Sequence, residues 1–284
     1  MGLIGHPGKI PITDTVSRAA RMIRAARREL FSDAATAAAA RIKTTVCPDA
    51  ASLARQVDLL LVFGGDGTLL RVAGEIAGSP TPMLGVNIGG LGFLTAVPSD
   101  GLPEALKLLW AGEFKFERRA LIEASVHHEG REFKKTALND VVISRGAISR
   151  LIELEVNVDG DPLTRYRCDG LIVSSPTGST AYSLAAGGAL VFPTADVFAL
   201  TPICPHTLSN RSLILPLAAV ITIKTITPRP ATMLSADGES VTELDAGEVV
   251  AIRRSRRSVR LMHLAESSFF EALRRKLHWR GAYL

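Results

Sequence analysis

The chain has 284 residues, 47% apolar and 21% charged, with a net charge of +5. This reads as a soluble globular protein of one large or two modest domains. The longest apolar stretch, Leu213 to Ile223, contains Pro216 and is too short to span a bilayer, and Met1–His6 carries no secretory pattern. Cys47, Cys168 and Cys204 are widely spaced and form no C-x-x-C pair, so reduced thiols, a cytoplasmic setting and no metal site are expected.

In chain order, Gly2 to Gly5 reads as a first strand, followed by a helix from about Asp14 to Leu30 with Val16, Ala20, Ile23 and Leu30 on one face. Ala34 to Ala40 is helix-prone. Val57 to Phe63 is a buried strand that enters Gly64-Gly65-Asp66-Gly67-Thr68, and Thr68 to Ile76 reads as the helix after it. Glycines let a backbone or ligand come close. A carboxylate at the tip of such a turn is poised to meet a substrate, and the amides with the following helix N-terminus suit a phosphate. The plain alternative is a strand-to-helix turn with a capping Asp and Thr.

Met83 to Asn87 is the next strand, ending in the second glycine-rich turn Ile88-Gly89-Gly90-Leu91-Gly92-Phe93, and Leu102 to Gly112 is a helix. Alternating strands and helices predict a parallel sheet covered on both faces, with both glycine turns at the strand ends where ligands gather. Neither turn is a dinucleotide fingerprint, because Gly65-Asp66-Gly67 continues to Leu70 and Gly90-Leu91-Gly92 continues to Thr95. No G-K-[ST] tripeptide occurs, which excludes a Walker A loop.

From about Phe114 the pattern becomes all-β, with short runs at Ala120–His127, Ala137–Ser144, Leu151–Val158, Leu163–Arg167, Gly170–Ser174, Ala218–Thr225 and Val249–Ile252. Leu138-Asn139-Asp140-Val141 puts an amide and a carboxylate at the mouth of an apolar strand. They serve either as turn caps or as partners for the paired hydroxyls of a ribose. After the strand Gly170–Ser174 comes Ser175-Pro176-Thr177-Gly178-Ser179-Thr180-Ala181-Tyr182-Ser183-Leu184-Ala185, an uncharged run with several hydroxyls and one ring. Such a run offers short donors, room for a flat base and a stacking surface.

Asp237-Gly238-Glu239 reads as an ordinary turn. The basic run Arg253–Arg260 lacks aromatics and is expected to be a solvated edge strand rather than a nucleic-acid surface. The mild positive charge also suits an anionic ligand such as a dinucleotide or ATP. Ser267 to His278 is a helix with Phe269, Phe270, Leu273 and Leu277 on one face.

Taken together, the glycine turn, Asn139-Asp140, Thr177–Ser183, Pro205-His206-Thr207-Leu208 and Asp237-Gly238-Glu239 resemble the NAD kinase family in order and spacing, from Gly2 to the C-terminal helix. The turn resembles the family's GGDGT motif, of which diacylglycerol and sphingosine kinases and phosphofructokinases carry variants. The Thr177–Ser183 run resembles its far more specific TGSTAYS segment. The resemblance implies an α/β, Rossmann-like (phosphofructokinase-like) domain over 1–113 and an all-β, NAD-binding β-sandwich over 114–262. A C-terminal helix, 263–284, is expected to pack back on the first domain, with the site in the cleft.

The implied reaction is transfer of the γ-phosphoryl of ATP to the 2′-hydroxyl of the adenosine ribose of NAD, giving NADP. Mg²⁺ or another divalent metal would span the phosphates. Asp66 would be the general base. Gly64, Gly65, Gly67 and Thr68 would lie against phosphates, with Arg71 reaching the pyrophosphate or ATP. Asn139 and Asp140 would hold the adenosine ribose or adenine. Arg150 and Arg167 would face ligand, Asp169 would lie near the nicotinamide, and Thr180, Ala181, Tyr182, Ser183, Leu184 and Ala185 would line the dinucleotide pocket. Glu239 stands where the family usually has Gln, Ala189 where Pro follows Gly187-Gly188, and Ser212 where Pro follows Arg211. The resemblance also implies a homodimer or homotetramer with no nucleic-acid or membrane partner. The rival readings are a lipid kinase, which would need an apolar acceptor channel, and a non-catalytic dinucleotide-binding sensor.

Overall fold

A computed structural model of the chain describes residues 1–5, 10–90, 92–146, 150–206, 211–228, 232–265 and 268–279. The chain forms two compact units, Met1–Arg118 together with Val259–Leu284, and Arg119–Ser258. The sequence places these breaks at 113/114 and 262/263.

The first unit begins β1 (Gly2–Gly5), α1 (Ile10–Ala25), β2 (Phe31–Asp33), α2 (Ala34–Ala40), β3 (Thr45–Cys47), α3 (Ala50–Ala54), β4 (Leu60–Gly64) and α4 (Asp66–Glu75). It continues with β5 (Met83–Asn87), β6 (Val97–Pro98), α5 (Leu102–Ala111) and the start of β7 (Phe114–His128). The strands pair in parallel in the order β5-β4-β1-β2-β3, with β6 on the outer side of β5. Every residue of β4 is buried, as a central parallel strand covered on both faces requires. Leu3, Ile23, Leu61, Phe63, Leu84, Val86, Leu102 and Leu106 form the core.

Local signals set the element ends. The Asp33 and Asp49 carboxylates cap α2 and α3 by accepting the Thr36 and Ser52 amides. α1 begins earlier than its apolar periodicity suggests and stops before Leu30, where Arg27 turns left-handed at φ 54°. β2 and β3 are three residues each, too short to display a period of two.

The second unit contains the rest of β7, then β8 (Arg131–Ala137), β9 (Asp140–Arg145), β10 (Ile152–Val158), β11 (Asp161–Cys168), β12 (Gly170–Ser174) and the short α6 (Tyr182–Ala185). There follow β13 (Val197–Ile203), β14 (Leu213–Pro216), β15 (Ile221–Thr225), β16 (Thr232–Ala236), β17 (Glu239–Leu244) and β18 (Val249–Leu264). Two antiparallel sheets form, β11-β10-β15-β18 with β7 and β8 beyond, and β14-β13-β12-β9-β16-β17. They share one core that includes Ile122, Val141, Ile143, Leu154, Leu171, Phe198, Ile223, Leu234 and Ile252, which makes the unit a β-sandwich.

The basic run lies in β18, which pairs with β15 over Val249–Ile252 and also pairs with β7. Its arginines are tolerated because their side chains leave the sheet for solvent, where Arg253 pairs with Glu123 and Arg254 with Asp196. From Val259 the chain belongs to the first unit again, where Leu261 of β18 is in register with Met83. α7 (Phe269–Lys276) follows, with the Lys276 ammonium 5.6 Å from the centre of the Phe93 ring.

Candidate active site

In the first unit, β4 delivers the glycine turn at its carboxyl end, and α4 starts at Asp66 rather than at Thr68. The Asp66 carboxylate thus sits in the first helical turn, where the helix dipole favours negative charge. It reaches across to the second glycine-rich turn. Oδ2 accepts the Phe93 amide at 2.8 Å, and Oδ1 accepts the Leu94 and Thr95 amides and the Thr95 hydroxyl at 3.1–3.2 Å. Only glycine fits at position 92, because a Cβ there would lie 2.0 Å from Asp66 Oδ1. The two glycine turns are therefore one construction, with Asp66 as its tie. Thr68 is buried behind the turn, whereas a Cβ on Gly65 or Gly67 would meet nothing, so this backbone is open. Arg71 is partly exposed and pairs with Glu75 one turn along α4.

In the second unit the expected strand Ala137–Ser144 is broken at Leu138-Asn139, and Asp237 causes the break. Its carboxylate accepts the amides of Leu138 at 2.8 Å, Asn139 at 2.7 Å and Asp140 at 3.2 Å. Its own amide donates to the Asp140 carbonyl at 3.0 Å, from a left-handed turn with φ 51°. On the other side the Ser175 amide donates to the Asn139 carbonyl at 2.8 Å and the Ser175 hydroxyl to the Leu138 carbonyl at 2.5 Å. Gly178 lies so close that a Cβ there would be 2.2 Å from the Asn139 carbonyl oxygen.

The side chains presented by this segment are unusual. Asn139 is only 8% exposed, yet among the described residues its Oδ1 has no hydrogen-bond partner, so a donor carried by a bound molecule is its natural complement. Burial, reinforced by the neighbouring Asp237 charge, pushes the Asp140 carboxyl up to about 7. Burial raises Asp237 too, against the pull of its three amide donors. The turn Asp237-Gly238-Glu239 is thus more than the loop its sequence suggests. Three consecutive amides held by one carboxylate leave no trace in composition or periodicity.

The hydroxyl run is built differently from its sequence expectation. Thr177–Thr180 forms a 3₁₀ turn and Tyr182–Ala185 a single helical turn. Most of its hydroxyls are buried and bonded internally: Ser179 to the Pro176 carbonyl and the Val191 backbone, Ser183 to Thr201, and Thr180 to the Thr177 carbonyl. A buried hydroxyl must find a partner, and here the fold supplies it, so these groups scaffold the turn rather than offer free donors. Buried Arg119 donates to the Thr177 hydroxyl at 3.3 Å. Ala181 and Leu184 are half-buried, while Tyr182 and Ala185 are exposed, leaving the tyrosine ring accessible.

The remaining expected residues divide. Asp169 is ion-paired with Arg145 at 2.9 Å, and Arg150 and Arg167 are exposed. Glu239 is exposed and paired with Lys135 of β8 at 2.8 Å, so its charge is directed along the sheet surface. His206 donates its amide to the Arg167 carbonyl, while Thr207 and Leu208 of that motif lie outside the described residues. Among the described residues one group of three ligand-type side chains lies together, His128, Asp245 and Glu248, and His128 Nδ1 is already bonded to Glu248 at 2.9 Å.

A parallel α/β unit with an anchored carboxylate at its glycine turn, joined to a β-sandwich with a buried amide–carboxylate pair, places the chain among two-domain phosphotransferases. Residues 1–114 match the ATP-NAD kinase N-terminal domain and residues 138–264 the ATP-NAD kinase C-terminal domain. The chain belongs to the NAD kinase family. It is 45% identical to an NAD kinase of Syntrophotalea carbinolica over 81% of both chains. It is 46% identical to one of Moorella thermoacetica over 78% of this chain and 72% of that one. Among solved structures, yeast NADH kinase complexed with NADH superposes with a TM-score of 0.90 at 25% identity, covering 100% of this chain and 88% of that one. An NAD kinase from Archaeoglobus fulgidus in complex with ATP shares the fold, with a TM-score of 0.77 at 23% identity over 99% of both chains.

Proposed function

We propose that the chain phosphorylates NAD at the 2′-hydroxyl of its adenosine ribose, with ATP as donor. The observation that carries this is the Asn139–Asp140 pair: a buried amide oxygen without a partner beside a buried carboxylate. Such a pair complements a purine amine and vicinal hydroxyls, and it does not complement a lipid tail. The family's named activity and the NADH carried by the yeast relative agree with it.

In this reading Asp66 takes the proton from the ribose hydroxyl. Oδ1 already accepts three bonds and Oδ2 only one, so Oδ2 keeps the lone pair that a substrate hydroxyl needs. The amides of residues 93–95 fix the carboxylate in place, so proton transfer costs little reorganisation. The open backbone at Gly65 and Gly67 and the N-terminus of α4 face negative charge, which suits the phosphates of the donor. Arg71 would exchange Glu75 for a phosphate. The donor is taken as the MgATP complex, whose Mg²⁺ would spread the charge of the transferring group. Asn139 and Asp140 hold the adenosine moiety, and the exposed Tyr182 ring offers it a stacking surface. Thr180, Ala181, Ser183, Leu184 and Ala185 shape that wall, with Arg150, Arg167 and Asp169 toward the rest of the dinucleotide. A homodimer or homotetramer in the cytoplasm completes the reading. The three free cysteines and the lack, among the described residues, of a helix long and apolar enough to cross a membrane are in keeping with it.

The test is product formation from MgATP and NAD⁺, read with an NADP⁺-specific dehydrogenase. NADP⁺ is the expected product. Phosphorylated diacylglycerol or sphingosine without NADP⁺ would establish a lipid kinase, and tight NAD⁺ binding without turnover would establish a sensor.

A further inference from the structure

Both units use the same device, a single carboxylate that gathers three consecutive backbone amides: Asp66 at residues 93–95 and Asp237 at residues 138–140. In the first unit the carboxylate is the proposed chemical group itself. In the second, the gathered segment carries the proposed recognition pair, and Asp237 stands behind it. We infer that Asp237 is a positioning residue for NAD, one that fixes Asn139 and Asp140 through their backbone amides. This inference rests on the kinase reading above and deepens it.

Three features of the geometry support it. Leu138 and Asn139 lie between β8 and β9, and the Asp237 carboxylate holds their amides together with that of Asp140 at the start of β9. The anchor is rigid at its own end, because Asp237 lies in a left-handed turn and its amide is bonded to the Asp140 carbonyl. The segment is also held from the other side by Ser175 and by the close approach of Gly178, so Asp237 completes a grip on both sides. Buried hydrogen bonds to a charged group are the strong ones, and three on consecutive residues set the direction in which two side chains leave the chain.

Asp237 also faces Asp140 as a charge. Ser174 lies opposite Asp140 on β12, and Asp237 is the charged group that acts on it. Glu239, next along the turn, acts on Asp237 and is paired with Lys135. Removing the Asp237 charge therefore lowers the pH at which Asp140 takes its proton.

The experiment compares Asp237→Asn, which removes the charge and turns an NH₂ toward one amide, with Asp237→Glu, which keeps the charge but reaches too far for the same three bonds. We expect faster hydrogen exchange at the 138–140 amides in both variants. KM for NAD⁺ should rise roughly tenfold to a hundredfold while KM for MgATP is unchanged. The acid limb of NAD⁺ affinity should move to lower pH in Asp237→Asn and stay in place in Asp237→Glu. Should Asp237→Asn not fold, the amide exchange and KM of Asp237→Glu decide. Wild-type exchange rates and wild-type KM for NAD⁺ in the variants, with only the melting temperature changed, would overturn the inference. If the wild-type protein forms no NADP⁺, the kinase reading fails instead, and the exchange data still decide whether Asp237 holds the segment.

Discussion

Asp66 and Asp140 are both carboxylates at strand ends, yet their surroundings give them different work. Asp66 is surrounded by donors, with one oxygen retaining acceptor capacity. Replacement by Asn keeps the shape but removes the proton acceptor. We therefore expect Asp66→Asn to bind NAD⁺ with near wild-type affinity and to lose about 10²–10⁴-fold in turnover, as single-turnover kinetics and calorimetry will show. A variant that kept most of its rate would remove Asp66 from the proton transfer.

Asp140 instead holds its proton more tightly in the folded chain, at about 7 against an ordinary 3.8. Folding therefore takes up a proton between those values, and stability is lost as pH rises through that window. Asp140→Asn removes this term. Its melting temperature should exceed the wild type's at pH 8, by an amount worth a few kcal/mol at most, and the difference should shrink toward pH 4. Thermal melts at the two pH values check the sign.

At the scale of elements, the turns carry the chemistry and the glycines decide their spacing. Gly92→Ala drives a methyl to 2.0 Å from Asp66 Oδ1, so the carboxylate must move, and Gly178→Ala drives one to 2.2 Å from the Asn139 carbonyl oxygen, so backbone must move. The consequences should separate. Gly92→Ala is expected to cut kcat at least tenfold with little change in NAD⁺ affinity, and Gly178→Ala to weaken NAD⁺ binding at least tenfold, each with about 1–3 kcal/mol of lost stability. Steady-state kinetics with calorimetric NAD⁺ titration distinguishes the two.

The same elements show what a sequence can convey. The strand into Gly64-Gly65-Asp66 was legible because a buried strand and a glycine cluster are both local signals. The start of α4 at Asp66 was not, because the carboxylate is recruited by amides of residues 93–95, far along the chain. The uncharged run after β12 suggested free hydroxyls. Burial commits those hydroxyls to the backbone around them, which composition alone does not reveal. Asp237 went unread for the same reason, since its partners lie on another strand.

For the whole molecule, the division of labour follows the chain. In the proposed reaction, residues of the first unit serve the donor and take the proton, and those of the second hold the acceptor. The change from alternating strands and helices to short strands announced two domains, because the hydrophobic period itself changes near residue 114. The long strands β7 and β18, which run through the boundary, blur its position.

The central claim concerns where the phosphate goes, and ³¹P NMR of the product from MgATP and NAD⁺ tests it most directly. The account predicts one new phosphomonoester resonance, on the 2′-oxygen of the adenosine ribose, absent with Asp66→Asn. A phosphate on any other hydroxyl, or ATP consumed with NAD⁺ recovered unchanged, would contradict it.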